Sequence, residues 1–402
     1  MKYKSEANYV EKKDFAKGFL SGVLAVTLLI TGGKSLSVVQ GIFSTNMSAE
    51  TKIKTIQKYI DKYYVEDYDK KNMEEMMYTG LVTGLGDPYT SYIPADDLQN
   101  FIDDTKGEFV GIGIEYTKDI TDGNILVATV MDGSPAEKAG MRPNDKIVKI
   151  EGESVTPMDT QEIQNKIKGE KGTTVNITIF RQSTSETLEM SLVRAEIETI
   201  TVKSKMLEND IGYIKITSFK EKTYDQFMKA YKDMKNQNMK GLVIDLRNNL
   251  GGLVNVVSEI ADELVPEGTL VYTVDKQGNR EDTISDANCI EVPLILLVNE
   301  YSASSSEILA GAVQDMGVGK LVGTQTFGKG LVQGLYFLKD GSAIKITIQK
   351  YYTPKGVCIQ GTGITPDYEV ELPEQYLYVN TVPEEEDTQL QKALDVIKQE
   401  MK

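Results

Sequence analysis

The sequence predicts an α/β protein built from several units, on three observations. Past residue 195, short apolar strands alternate with amphipathic helices, an order that packs helices on a sheet. Residues 105–194 form a separate run of glycine-punctuated strands and two short helices. The flanking stretches, 46–104 and 374–402, carry helical patterns. A chain of 402 residues is long enough for two or three such units.

Residues 1–45 come first. Lys12, Lys13 and Lys17 precede an uncharged apolar run, 18–33, and SLSVVQGIF stays apolar beyond Lys34. A basic flank followed by an apolar stretch is an export signal. With no good small-x-small cleavage site, an uncleaved, single-pass signal-anchor in the cell membrane is expected, with everything beyond it extracytoplasmic, and a cleaved signal peptide is the alternative. In 46–104, Ile53, Ile56, Ile60 and Tyr63 share one helical face, and Met73, Met76, Met77 and Leu81 another. GLGDPYTSYIP (84–94) breaks that pattern and offers no side chain for chemistry.

In 105–194, EFVGIGIEY and ILVATV are strands, and DGSPAEKAG is a turn and short helix with Pro135 near its start and Gly140 past its end. DKIVKIEG is a strand and DTQEIQNKIKG a helix. TTVNITIF alternates Val175, Ile177 and Ile179, so one of its faces is buried. This order resembles a PDZ domain. Gly111, Ile112, Gly113 and Ile114 fall where that family binds a chain-terminal carboxylate. Backbone N–H groups freed by such glycines can turn toward one anion, and a peptide can add as a strand beside 112–116.

From 195 to 373, IGYIKITSF, GLVIDLR and VPLILLVNE are strands. Between them lie a helix on Phe227, Ala230, Tyr231 and Met234 and another on Val257, Ile260, Ala261 and Leu264. SSSEILAGAVQDM is a third helix, on Ile308, Leu309, Ala312, Val313 and Met316, and LVQGLYFL and AIKITIQKYY are the last strands. A charged helix closes the chain.

Composition narrows the chemistry. Histidine is absent, so neither a histidine-based triad nor a histidine metal site exists. Cys289 and Cys358 have no metal-ligand spacing, and neither metal nor cofactor is expected. A net charge of −16 argues against a nucleic-acid partner. GTQTFGKG (323–330) has the G-x-x-x-x-G-K spacing of a phosphate loop, but Gly330 stands where Ser or Thr should hold magnesium, and a strand follows where a helix should. A lysine between two glycines is instead held close to other backbone. In DLRNNLGG (245–252) the glycine pair offers backbone N–H donors at a helix start. In SASSSE (302–307), Ser304 and Glu307 have capping-box spacing, and a serine there also lies where a helix favours developing negative charge. Without histidine, a serine nucleophile needs a lysine whose pKa burial has driven toward neutrality.

DLRNNLGG, SASSSEILAGAVQD, GTQTFGKGLVQ and YYTPKG…GTGITPD, in this chain order, resemble the carboxyl-terminal processing proteases of serine peptidase family S41. The resemblance runs from about residue 50 to 373 and implies a crotonase/ClpP-like α/β protease core with an inserted PDZ domain. It places a nucleophile at Ser304, a general base at Lys329 and a supporting glutamine at Gln333. Gly251, Gly252 and the amide of Ser305 become the oxyanion hole. Two positions depart from the family: Leu250 replaces a proline and Ser305 an alanine, and neither change removes a backbone donor. The implied activity is endoproteolysis near the C-terminus of protein substrates, their tails held and the site gated by the PDZ domain. Terminal helices, 50–104 and 385–402, are implied to pair subunits into a homodimer. The rival expectation is a catalytically inactive PDZ adaptor that binds peptides on a degenerate α/β scaffold.

Overall fold

The computed structural model describes residues 47–376 and 382–401. The expected signal-anchor lies outside them, and no described helix is long and apolar enough to cross a membrane. The chain divides at Met73/Glu74 into two compact units. Helix α1 (Ala49–Tyr63) opens at Ser48, whose hydroxyl accepts the Thr51 N–H at 3.2 Å. It buries none of its residues, and Ile56, Tyr59 and Tyr63 of its apolar stripe are exposed. Helix α2 (Lys70–Thr83) also buries none.

The segment after α2 is more than a helix breaker. Asp87 accepts the Tyr89 N–H at 3.0 Å and the Thr90 hydroxyl, forming a tight Asx-type turn. Strand β1 (Ser91–Ile93) then joins the main body, Tyr92 opposite Ile344. The Gly and Pro residues that break the helical period thus start a strand. Helix α3 (Ala95–Lys106) follows and ends at Gly107, whose φ of 77° is a left-handed cap that glycine adopts without strain.

Strand β2 (Glu108–Gly111) leads into a six-stranded sheet. Its path is β3 (Ile114–Lys118), β4 (Ile125–Val130), β5 (Asp145–Ile150), β7 (Thr174–Arg181), β8 (Glu186–Val193), with β6 (Glu153–Ser154) beside β5. β3 and β8 are its edges. Helix α4 (Pro135–Lys138) is capped by Ser134, and α5 (Thr160–Ile167) by an Asp159–Glu162 capping box. Val175, Ile177 and Ile179 of β7 are fully or almost fully buried, as their alternation requires. Each such side chain contributes about 1.5–3 kcal/mol by leaving water. β9 (Ala195–Glu198) returns to pair with β2.

The main body is a six-stranded sheet ordered β10 (Val202–Leu207), β11 (Ile211–Ile216), β12 (Gly241–Asp245), β15 (Leu294–Val298), β16 (Lys320–Gly323), β19 (Tyr368–Glu369). All neighbours beyond the first pair run parallel. β12 and β15 are buried along their whole length because both faces are covered, which explains their unbroken apolar runs. One face carries α6 (Thr223–Lys235), α7 (Val254–Asp262) and α8 (Ser305–Met316), which pack on Leu242, Ile244, Leu296 and Val298. A second sheet, β1–β18–β13–β14 with β17 (Leu331–Phe337) on β18 (Ala343–Tyr352), stands beside it. Its hairpin β13 (Gly268–Asp275) and β14 (Arg280–Ser285) has no sequence expectation behind it.

The opposite face is covered by the closing helix α9 (Thr388–Glu400), whose apolar stripe turns inward. Leu390, Ala393, Val396 and Ile397 fill the back of this chain's own sheet, against Val243, Ile295 and Leu297. The stripe is narrow and hidden among charges. Arg247 pins the helix start: it pairs with Asp245 at 2.8 Å and with Asp387, the α9 N-cap, at 2.9 Å, all three buried. Burial alone would push the Asp245 carboxyl up. The charges of Arg247 and Lys215 and the Tyr213 hydroxyl outweigh it and hold Asp245 below the ordinary carboxylate value.

Removing one member of a buried pair leaves an uncompensated charge, so Arg247→Met should lower unfolding stability by about 3–5 kcal/mol in urea titration. The sign with pH follows from the depressed Asp245 value. Its contribution is complete above the unfolded carboxylate pKa of about 3.9 and is lost as pH falls through the lower folded value. Arg247→Met should therefore flatten the acid end of the stability profile.

Candidate active site

Three loops at the C-terminal ends of the parallel strands build the site, where open α/β sheets place their ligands. After β15 the chain turns through Asn299–Ala303 into α8. Ser304 sits at the corner with φ 57° and ψ −113°, outside the regions open to a side-chain-bearing residue. Such strain persists only where the surroundings impose it, and a sharp strand-to-helix elbow thrusts its side chain outward. Its neighbours are locked. The Ser302 hydroxyl donates to the Leu246 carbonyl at 2.9 Å, Ser305 to Gly252 at 2.9 Å, and Ser306 to Asn249 at 2.8 Å. Ser302, Ser305 and Ser306 are fully buried, whereas Ser304 is half-buried. The Ser304 carbonyl accepts the Tyr351 hydroxyl at 3.0 Å.

Glu307 joins this elbow to the lysine loop. Its carboxylate is fully buried. One oxygen accepts the Ser304 N–H at 2.8 Å and the Lys329 N–H at 2.9 Å. The other accepts the Thr326 hydroxyl at 2.6 Å and the Gly328 N–H at 2.7 Å. A carboxylate has about four acceptor positions, and all are used. The capping box is closed chiefly from this side: the Glu307 N–H donates to the Ser304 carbonyl at 2.8 Å, leaving the hydroxyl at most a loose second acceptor.

Both glycines around Lys329 press on backbone. A Cβ on Gly328 would stand 2.9 Å from the Gly363 nitrogen, and one on Gly330 2.8 Å from the Gln360 nitrogen. Lys329 itself is half-buried. Burial, then the like charge of Lys345, pushes its pKa below the ordinary lysine value, against Asp87 and Glu307, which act the other way. The amine lies over the Tyr89 ring, 4.7 Å from its centroid. It makes no hydrogen bond to Ser304 among the described residues.

Gln333 lies on β17, which starts at Leu331, and the pairing with β18 shifts between Val332 and Gln333, the extra residue, Ile348, lying on β18. The Gln333 amide donates to the Thr347 hydroxyl at 3.5 Å, a weak contact. Of the glycine pair, Gly251 donates its N–H to the Asn249 side chain at 2.9 Å. Among the described residues, the N–H groups of Gly252 and Ser305 have no acceptor. Gly251 also backs the elbow, for its Cβ would come within 2.9 Å of the Ser304 Cβ. Leu250 is exposed, and the Ser305 hydroxyl adds a tie to the Gly252 carbonyl.

Ahead of edge strand β3, Gly111 ends β2 and Gly113 takes a φ of 78°. Ile112 and Ile114 are buried core residues that also line a groove of about 350 Å³ between edge strand β3 and helix α5. Phe109, Met131 and Ile167 add apolar walls, and Asn100 and Asp104 of α3 border it.

Residues 210–370 match the profile of peptidase family S41, and 126–181 that of a PDZ domain. The carboxy-terminal-processing protease of Bartonella bacilliformis is 36% identical over 373 residues, covering 89% of this chain and 83% of that protein. The CtpA-like serine protease assigned in Staphylococcus haemolyticus is 35% identical over 372 residues, 90% of this chain and 74% of that one. The chain belongs to peptidase family S41. A solved Bacteroides fragilis structure assigned to the S41 proteases shares the fold, with a TM-score of 0.50 at 17% identity over 84% of this chain and 92% of that one.

The peptidase is thus a hydrolase of peptide bonds with a PDZ domain, and the inactive-adaptor expectation is set aside. Two of its site features escape a reading of the sequence. Glu307 looks like a helix cap, and only the fold shows that the same carboxylate holds the lysine loop. Asp87 and Tyr89 lie some 240 residues before Lys329, and D-P-Y-T reads as a turn. Glu307→Gln keeps the shape but turns an amide toward donors. It should cost about 1–3 kcal/mol per unmatched donor in denaturation, and on the order of 10²-fold in peptidase kcat as the two loops shift.

Proposed function

We propose that this S41 peptidase cleaves protein substrates near their C-termini with a Ser304–Lys329 pair. One observation carries the reading: among the serines of the turn, Ser304 alone is strained and alone donates its hydroxyl to no backbone carbonyl among the described residues, and it opens a helix. Lys329 in its neutral form takes the Ser304 proton as the oxygen attacks the peptide carbonyl. The developing oxyanion is met by the N–H groups of Gly252 and Ser305, with Gly251 reserved for shaping the elbow. The protonated lysine then gives its proton to the leaving amine, and water hydrolyses the acyl-enzyme with Lys329 again as base. This requires the amine to move from the Tyr89 ring to the hydroxyl. Gln333 is carried as an orienter of the amine in that engaged position.

The PDZ groove is assigned to the substrate tail. A free strand edge offers backbone bonds, and the apolar walls around Ile112 and Ile114 suit an apolar last residue. Gating by that domain belongs to the same proposal. So do the membrane anchor, supported by the basic-then-apolar order of residues 12–33, and pairing of two copies through the exposed apolar stripes of α1 and α2.

Incubating the protein with a loosely folded substrate tests the pair. Ser304→Ala and Lys329→Ala should each lose roughly 10⁴–10⁶-fold in kcat. Cleavage retained by Lys329→Ala would remove the assigned base. Because the neutral amine is the active form, kcat/KM should rise with pH along a limb set by Lys329. That limb should lie below the ordinary lysine pKa of about 10.4.

A further inference from the structure

The strap between α2 and α3 has no part in the chemistry above, yet it carries the ring on which the Lys329 amine rests. Its position is firmly set. Asp87 fixes the turn, the buried Thr90 hydroxyl accepts the Thr347 N–H at 3.0 Å, and β1 is paired along β18. Gln333 reaches the same place through Thr347. An aromatic face attracts a cation and has no such hold on a neutral amine. The location of the amine therefore depends on its charge.

We infer that Tyr89 is a positioning residue for Lys329: its ring berths the amine away from Ser304 in the resting peptidase and releases it when the site engages. This rests on Lys329 being the base. The charged groups facing the amine are Asp87 on the strap and Glu307 on α8, which favour the ammonium, and Lys345 on β18, which opposes it. The strap also runs directly into α3. There Asn100 accepts Lys168 at 2.8 Å and Gln164 at 3.5 Å from the PDZ domain, and Asn100 and Asp104 border the groove. A tail in the groove thus bears on the helix that continues the berth.

The test follows labelling of Ser304 by a fluorophosphonate in the full chain as pH is varied. It is run with and without a synthetic peptide bearing an apolar last residue and a free carboxylate, with the amidated peptide as control. Tyr89→Leu should label about two- to thirty-fold faster than the parent without peptide. Its acid limb should move to lower pH, since the ring favours the ammonium. Tyr89→Phe, which keeps the ring, should match the parent, and saturating peptide should close the gap between parent and Tyr89→Leu. If Tyr89→Leu does not fold, Asp87→Asn takes its place, with the same downward move of the limb. Slower labelling at every pH with the limb unmoved, Phe as disruptive as Leu, or a gap that bound peptide leaves unchanged overturns the inference. A parent that binds peptide but never labels at Ser304 defeats the Ser304–Lys329 reading itself, and this inference with it.

Discussion

One buried carboxylate holds the site together. Glu307 lies on the first turn of α8 and accepts donors from two separate loops, the Ser304 elbow and the 326–329 turn. Burying a carboxylate without partners costs several kcal/mol, so the fold is stable only when both loops close on it. That requirement sets the Ser304 backbone in a conformation it would not otherwise adopt and brings the Lys329 backbone next to it. A capping residue has become the joint of the machinery.

The glycines show the same constraint from the other side. Gly251 leaves room for the elbow, and Gly328 and Gly330 let the lysine turn lie flat on the 360–363 backbone. Lys329 is thereby half-buried, and burial depresses its pKa. The field around it is nonetheless mixed. Lys345 reinforces the depression while Asp87 and Glu307 resist it, and the Tyr89 ring offers the ammonium a place to rest.

Much of this was legible in the sequence because the relevant signals are local. The both-faced burial of β12 and β15 appears as unbroken apolar runs, the face of α6 as Phe227, Ala230, Tyr231 and Met234, and the edge groove as GIGI. Lys329 between glycines correctly implied close backbone. Signals that depend on long-range pairing were not legible. The register shift opposite Gln333, where β18 carries Ile348 as an extra residue, has no signal in the letters. The closing helix reads as charged, and only the fold shows its narrow apolar stripe filling the sheet's back face. The strap 87–94 reads as punctuation, although its hydrogen bonds reach Thr347, more than 250 residues away.

Lys329 sheds its proton more readily than an ordinary lysine because this junction buries it. A side-chain NMR titration of Lys329 in the intact protein, assigned with Lys329→Arg, measures this without an activity assay. The transition should fall below the ordinary lysine range, and a transition at or above the ordinary value would overturn this reading of the site.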